Sequence, residues 1–389
     1  MNPHRTSIIV AALICTTLTA CRAPQSKSQI AYFPDDPARA RVVHLVSFNS
    51  LSEITPPKAT FLDALRGPLG GPFIQTPAGI DYRDNHLYIC DTGSNVLHDW
   101  NLESGSARII GARGTATLAK PVDVAVDESG HIFVADTLRG EVLGYDPQGR
   151  NILKFQTVPP PLPPVDPLEE LEDKLPPPPE RDQQFQPAAL AVDNKRLYIA
   201  DIASHYVYII NPQTGETYET VGGAGDDKGK LYYPTGIDVA SQSNSNGQAD
   251  IYVSEMMNAR VQRFSPTLAP ILTMGQPGDR YGDMGKPRHI ACAPDNILFV
   301  ADPEFCRIHI FNTQGQLLLI IGGDEHPSAA FTPGATPMPV GICIANTLPL
   351  HLRSLVPHHF QPSYYLFSTN TVGEKRINLF AIGQSKPEM

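Results

Sequence analysis

The chain has 389 residues, 30 Lys and Arg against 40 Asp and Glu, 38 Pro and a net charge of −10. An acidic chain with no Lys/Arg stripe has no field to gather a polyanion, which sets nucleic-acid binding aside. Proline at nearly one residue in ten excludes a mainly helical fold, because each internal Pro costs a helix about 3 kcal/mol. Hydrophobic content of 41% with 18% charged residues is that of a globular protein, not a disordered one.

Residues 1–20 read as a secretory signal. His4 and Arg5 precede the apolar run Ile8–Ile14, and small residues lead to a cut. Leu18-Thr19-Ala20-Cys21 resembles the lipobox of bacterial lipoproteins. That resemblance implies cleavage before Cys21, acylation of its thiol and new amine, and a membrane partner through the lipid. Arg22, where inner-membrane lipoproteins often carry Asp, implies the outer membrane. Residues 21–40, rich in Pro, Ser, Gln and Lys, are expected to form a flexible tether. Of the remaining cysteines, Cys90, Cys292, Cys306 and Cys343 show no CxxC spacing, and buried free thiols are expected.

From residue 41 a unit recurs six times. It opens at Pro77, Pro121, Pro187, Pro234, Pro287 and Pro339, and continues through runs such as Leu197-Tyr-Ile-Ala-Asp201 and Leu298-Phe-Val-Ala-Asp302. A third run follows, as in Arg307-Ile-His-Ile-Phe311, and then a fourth, as in Gln316–Ile321. Short β-branched and aromatic runs parted by Asp, Asn, Gly and Pro are antiparallel strands. Four-stranded units in tandem, none able to cover both its faces alone, predict an all-β, six-bladed β-propeller.

The pattern Pro-x-Gly-Ile, Tyr-Val-Ala-Asp, Arg-Val-x-x-Phe resembles the NHL repeat, whose family fold is a propeller. The likeness covers 41–383, leaving 384–389 as a tail. The family's loop Arg stands at Arg260, Arg307 and Arg376, and Thr369 stands where its Asp is expected. The last unit lacks a fourth strand. The orphan run Arg41–Phe48 is expected to supply it and close the ring, since an unpaired apolar edge would otherwise remain.

The excess spacing between Pro121 and Pro187 locates an insertion at 158–180. It holds two polyproline runs around a short acidic helix with Leu168, Leu171 and Leu175 on one face, a candidate partner-binding element. A second insertion, Asn346–Ser363, carries His358 and His359, read as a solvated loop.

The repeated acids Asp91, Asp136, Asp201, Glu255 and Asp302 are read as structural, accepting turn amides in every blade. No Gly-x-Ser-x-Gly, phosphate-loop or His-Glu-x-x-His motif occurs. The positions that break the repeat are Asp123 in blade two and Arg288 and His289 in blade five, candidate ligand-binding residues at one channel mouth. Blades two and five are opposed, so a ligand or water is expected between them. No catalytic set, metal site or cofactor is assigned. Two functions stay open: a binding or scaffolding propeller that engages a protein or other envelope partner, and a channel-mouth enzyme of the lyase or lactonase kind.

Overall fold

The structure, a computed structural model, describes residues 30–55, 73–114, 116–156, 185–193, 195–240, 249–323 and 332–386. The signal segment, Cys21 and the insertion 158–180 with Leu168, Leu171 and Leu175 lie outside them.

The described chain folds into six antiparallel sheets around one axis. From inner to outer strand, blade one is Pro77–Arg83, His86–Asp91, Val96–Asn101 and Ser106–Ile110. Blade two is Pro121–Val126, Ile132–Asp136, Glu141–Tyr145 and Asn151–Phe155. Blade three is Pro187–Val192, Leu197–Asp201, Tyr206–Ile210 and Thr217–Gly222. Blade four is Pro234–Val239, Ile251–Glu255, Arg260–Phe264 and Pro270–Met274. Blade five is Ile290–Cys292, Leu298–Asp302, Arg307–Phe311 and Leu317–Gly322. Blade six begins with Pro339–Ala345, Phe360–Asn370 and Ile377–Ser385.

Each apolar core lies between two blades. In blade one, Leu87 and Ile89 pack toward blade six with Phe367 and Leu379. The alternate residues Tyr88 and Cys90 pack toward blade two with Val124 and Val134. Successive strand residues point to opposite faces, so both faces of every sheet are covered by neighbours. This is why the second strands of blades one to five read as continuous apolar runs and are buried, save for the half-exposed His86 that begins the one in blade one. Cys90, Cys292, Cys306 and Cys343 are buried and free.

The N-terminal strand closes the ring. Val42–Phe48 pairs antiparallel with Ile377–Ser385, Val42 opposite Ile382 and Phe48 opposite Ile377. Tyr32–Phe33 adds a fifth strand outside it, and Phe33 packs edge-on against Phe380 at 6.4 Å. Part of the segment expected to be a flexible tether is therefore held on blade six. Backbone bonds from Arg41 to Phe33 and from His44 to Ala31, both 2.9 Å, hold it there together with the two rings.

Strand register explains the repeated acids. Pro77 faces Asp91, Pro121 faces Asp136, Pro187 faces Asp201 and Pro234 faces Glu255. Asp136 accepts backbone N–H bonds from Ala119, Lys120 and Arg139 at 2.6, 3.0 and 3.1 Å. Asp302 accepts them from Gly285 and Lys286 at 2.8 and 3.0 Å. Each acid thus ties the segment before an inner strand to the second strand. In blade six Pro339 faces Asn370, so Asn370, not Thr369, occupies the acid's position. The residue two before Asn370's neighbour Pro339 is Pro337. It has no N–H to offer a carboxylate, and the side-chain amide of Asn370 has no hydrogen-bond partner among the described residues. Thr369 instead donates to the Ala78 carbonyl at 2.6 Å, joining blade six to blade one.

A candidate ligand site in the central channel

The six inner strands line the channel in layers. Two residues after each starting proline stand Gly79, Asp123, Ala189, Gly236, His289 and Gly341. A Cβ added at Gly79 would lie 2.1 Å from Asp123 Oδ1, one at Gly236 2.1 Å from the Arg288 carbonyl, and one at Gly341 2.2 Å from the Ala78 carbonyl. The missing side chains let the strands close in until opposed blades meet. His289 Nε2 lies 3.1 Å from Asp123 Oδ1, with no room for the ligand or water expected between them. Asp123 Oδ2 accepts the Leu190 N–H at 2.8 Å. Arg288 does not join this pair. It is exposed on the side where the inner strands start.

Above this floor is a cavity of about 350 Å³ that opens at the other mouth, among Asp84, Asn346 and Thr347. The pocket therefore faces away from the mouth that the starting prolines ring. Its walls hold Asp81 and Asp238, two residues further along the inner strands of blades one and four. Asp81 accepts N–H bonds from Tyr82 at 2.7 Å and from Val126 of blade two at 2.8 Å. Asp238 accepts them from Val239 and from Cys292 of blade five, both at 2.7 Å. The two carboxylates repeat one arrangement on opposite sides of the ring.

Burial raises the Asp81 carboxyl above its ordinary range and outweighs its N–H bonds. Burial likewise pushes Asp238 up to about 6, against the opposing pull of its N–H bonds and His289. For His289 burial would lower the imidazole, but the charge and hydrogen bond of Asp123 outweigh it and raise the value. Burial pushes the Cys343 and Cys292 thiols well up, which removes them as thiolate nucleophiles. With Nε2 engaged by Asp123, His289 Nδ1 is buried without a partner among the described residues. The arrangement can hold or move one proton at the floor and present carboxylate oxygens from the walls.

Asp81 and Asp238 were not among the residues singled out by sequence. Their signal is small. Blades one and four read Pro-x-Gly-Ile-Asp, where the others have Ala125, Ala191, Ala291 and Cys343. Among the described residues no group of three or more His, Cys, Asp and Glu is placed to hold a metal ion. His358 and His359 are exposed.

No protein-family model matches the chain, and no curated protein sequence matches it. Solved structures do. A gluconolactonase from Xanthomonas campestris is 15% identical over 91% of this chain and 97% of its own, with a TM-score of 0.52. A protein of unknown function from Bacteroides thetaiotaomicron is 12% identical over 91% of this chain and 76% of its own, with a TM-score of 0.55. A streptogramin B lyase is 12% identical over 80% of this chain and 94% of its own, with a TM-score of 0.50. At such identities the likeness is one of fold, and this chain is a six-bladed β-propeller.

Proposed function

We propose that this chain is a binding propeller of NHL-type repeats, held at the cell envelope by lipid on Cys21, with the channel cavity as its ligand site. The cavity carries the reading: it is lined by all six blades, floored by His289, which is bonded to the buried Asp123, and opens among Asp84, Asn346 and Thr347. Concave, mostly pre-formed pockets with a few convergent polar groups are where small ligands bind. In this reading the insertion 158–180, with Leu168, Leu171 and Leu175, engages an envelope protein on the opposite face. It links the outer strand of blade two, which ends on the strand-start side, to the inner strand of blade three, which begins there.

The test is to purify the lipidated protein from its own membranes and identify what accompanies it. A small molecule lost in a cavity-filling variant such as Ala191→Leu supports the reading. Its retention there refutes it. Cys21→Ser should move the protein to the soluble fraction, and an unchanged membrane fraction would refute the lipid anchor.

One observation favours a second reading, an acid–base enzyme. His289 and Asp123 form the pair that places and polarises a general base. Turnover abolished by His289→Gln in a folded protein would establish it, given a substrate drawn from what co-purifies.

A further inference from the structure

We propose that the channel cavity binds a small organic cation, held through its ammonium N–H groups between the carboxylates of Asp81 and Asp238. The proposal rests on reading the cavity as the ligand site and names the chemistry of that ligand. Asp81 and Asp238 come from opposed blades at the same step of the inner strand. Each oxygen of each carboxylate accepts one backbone N–H. A carboxylate oxygen has two lone pairs, so each keeps acceptor capacity.

Their charge is answered only in part: Arg83 pulls on Asp81 and His289 on Asp238, yet burial keeps both carboxyls raised and neither cation bonds to them. The imidazole beneath them is committed to Asp123, and Arg83 at the mouth donates to the Val126 carbonyl at 3.2 Å. The like charge of Asp81 across the channel further raises Asp238. A volume of about 350 Å³ lies at the small end of ligand pockets, roughly 300–1,000 Å³. It suits a metabolite-sized molecule and not a polymer. Anions are repelled by such walls, and a neutral polyol would satisfy the acceptors while leaving the charge in place. An ammonium ligand does both.

The experiment is isothermal titration of the full chain at pH 7.5 with 1,4-diaminobutane, its neutral counterpart 1,4-butanediol, and magnesium chloride. The diamine should bind and the diol should not. Asp81→Asn and Asp238→Asn should each weaken the diamine at least tenfold, and the double variant should abolish binding. Circular dichroism checks that the variants fold.

If they do not fold, a pH series on the unaltered chain decides. Lowering the pH from 7.5 to 5 places a proton on Asp238, among Asp81, Asp123, His289, Arg83, Cys292 and Cys343, and should weaken the diamine at least tenfold. Equal binding of diol and diamine, or diamine binding indifferent to both the Asn changes and pH, overturns the proposal. So does binding of magnesium alone. Ala191→Leu separates the two claims. A ligand that this variant loses but the double Asn variant keeps leaves the cavity as the site and removes the cation. A ligand that Ala191→Leu keeps removes both.

Discussion

Asp302 in blade five and Asp238 in blade four each accept two backbone N–H bonds from the same fold, yet they titrate in opposite directions. Burial pushes up on both. At Asp302, His309 Nε2 stands 3.4 Å away, and with the two N–H bonds it holds the carboxyl below the ordinary range. At Asp238 the neighbours include Asp81, and burial wins. The backbone bonds are equal in number, so the difference comes from the neighbouring side chains: the hydrogen bond and charge of an imidazole at Asp302, and a second carboxylate facing Asp238. The first acid is part of a blade-building device used around the ring. The second is a group left in tension inside a cavity.

Removing each acid tests that contrast. Asp302→Ala strands the Gly285 and Lys286 N–H groups and His309 in a fully buried place. It should cost about 3 kcal/mol or more, read from denaturant unfolding at pH 7. Asp238→Ala also strands two N–H groups, but it removes a charge that the fold disfavours. At pH 8 it should cost about 1 kcal/mol. Equal losses for the two would break the comparison.

The pH dependence sharpens it. A carboxyl whose folded value is raised, as for Asp238 to about 6, binds its proton more tightly in the folded state. Stability from that proton is lost as pH rises from the ordinary Asp range through about 6. The raised His289 adds stability below the ordinary His value that is lost as pH rises through its raised one. The lowered Asp302 and Asp91 act only at more acid pH, losing their contribution as pH falls through their folded values. His44 works against Asp238 and His289: burial holds it at about 4, so its contribution grows as pH rises through the ordinary His value. Asp238→Ala combined with His289→Gln leaves His44 unopposed. Between pH 5.5 and 8 the melting temperature of that variant should therefore rise by about 2–4 °C relative to the change in the parent. An equal change in the two would show that other groups set the slope. The smallest effect is expected at Asn370→Asp. Restoring the repeated acid should destabilise by roughly 1 kcal/mol, because Pro337 leaves the new carboxylate short of a donor. A gain in stability would show that the amide at 370 is not an adaptation to Pro337.

The limits of sequence reading fall at identifiable residues. Asn370 was hidden because the sixth unit is worn, and only pairing with Pro339 sets its position. The meeting of His289 with Asp123 was hidden because channel width is no property of either strand. It follows from three glycines on other blades, each too close to a neighbouring strand to carry a side chain. The pair Asp81 and Asp238 was visible as letters, but the repeat motif absorbed them.

What the sequence determined alone was the architecture. Six repeats of apolar runs divided by turn residues, plus one orphan strand, can bury their faces only by packing blade on blade in a closed ring. Repeated acids followed from the same logic, since a residue required in every blade is read from its recurrence. The tertiary structure decided which non-repeated residues meet, where the channel is sealed and which mouth opens to the cavity. Those outcomes depend on how closely distant strands approach around the axis, and a distance summed over six blades is not encoded in any local pattern.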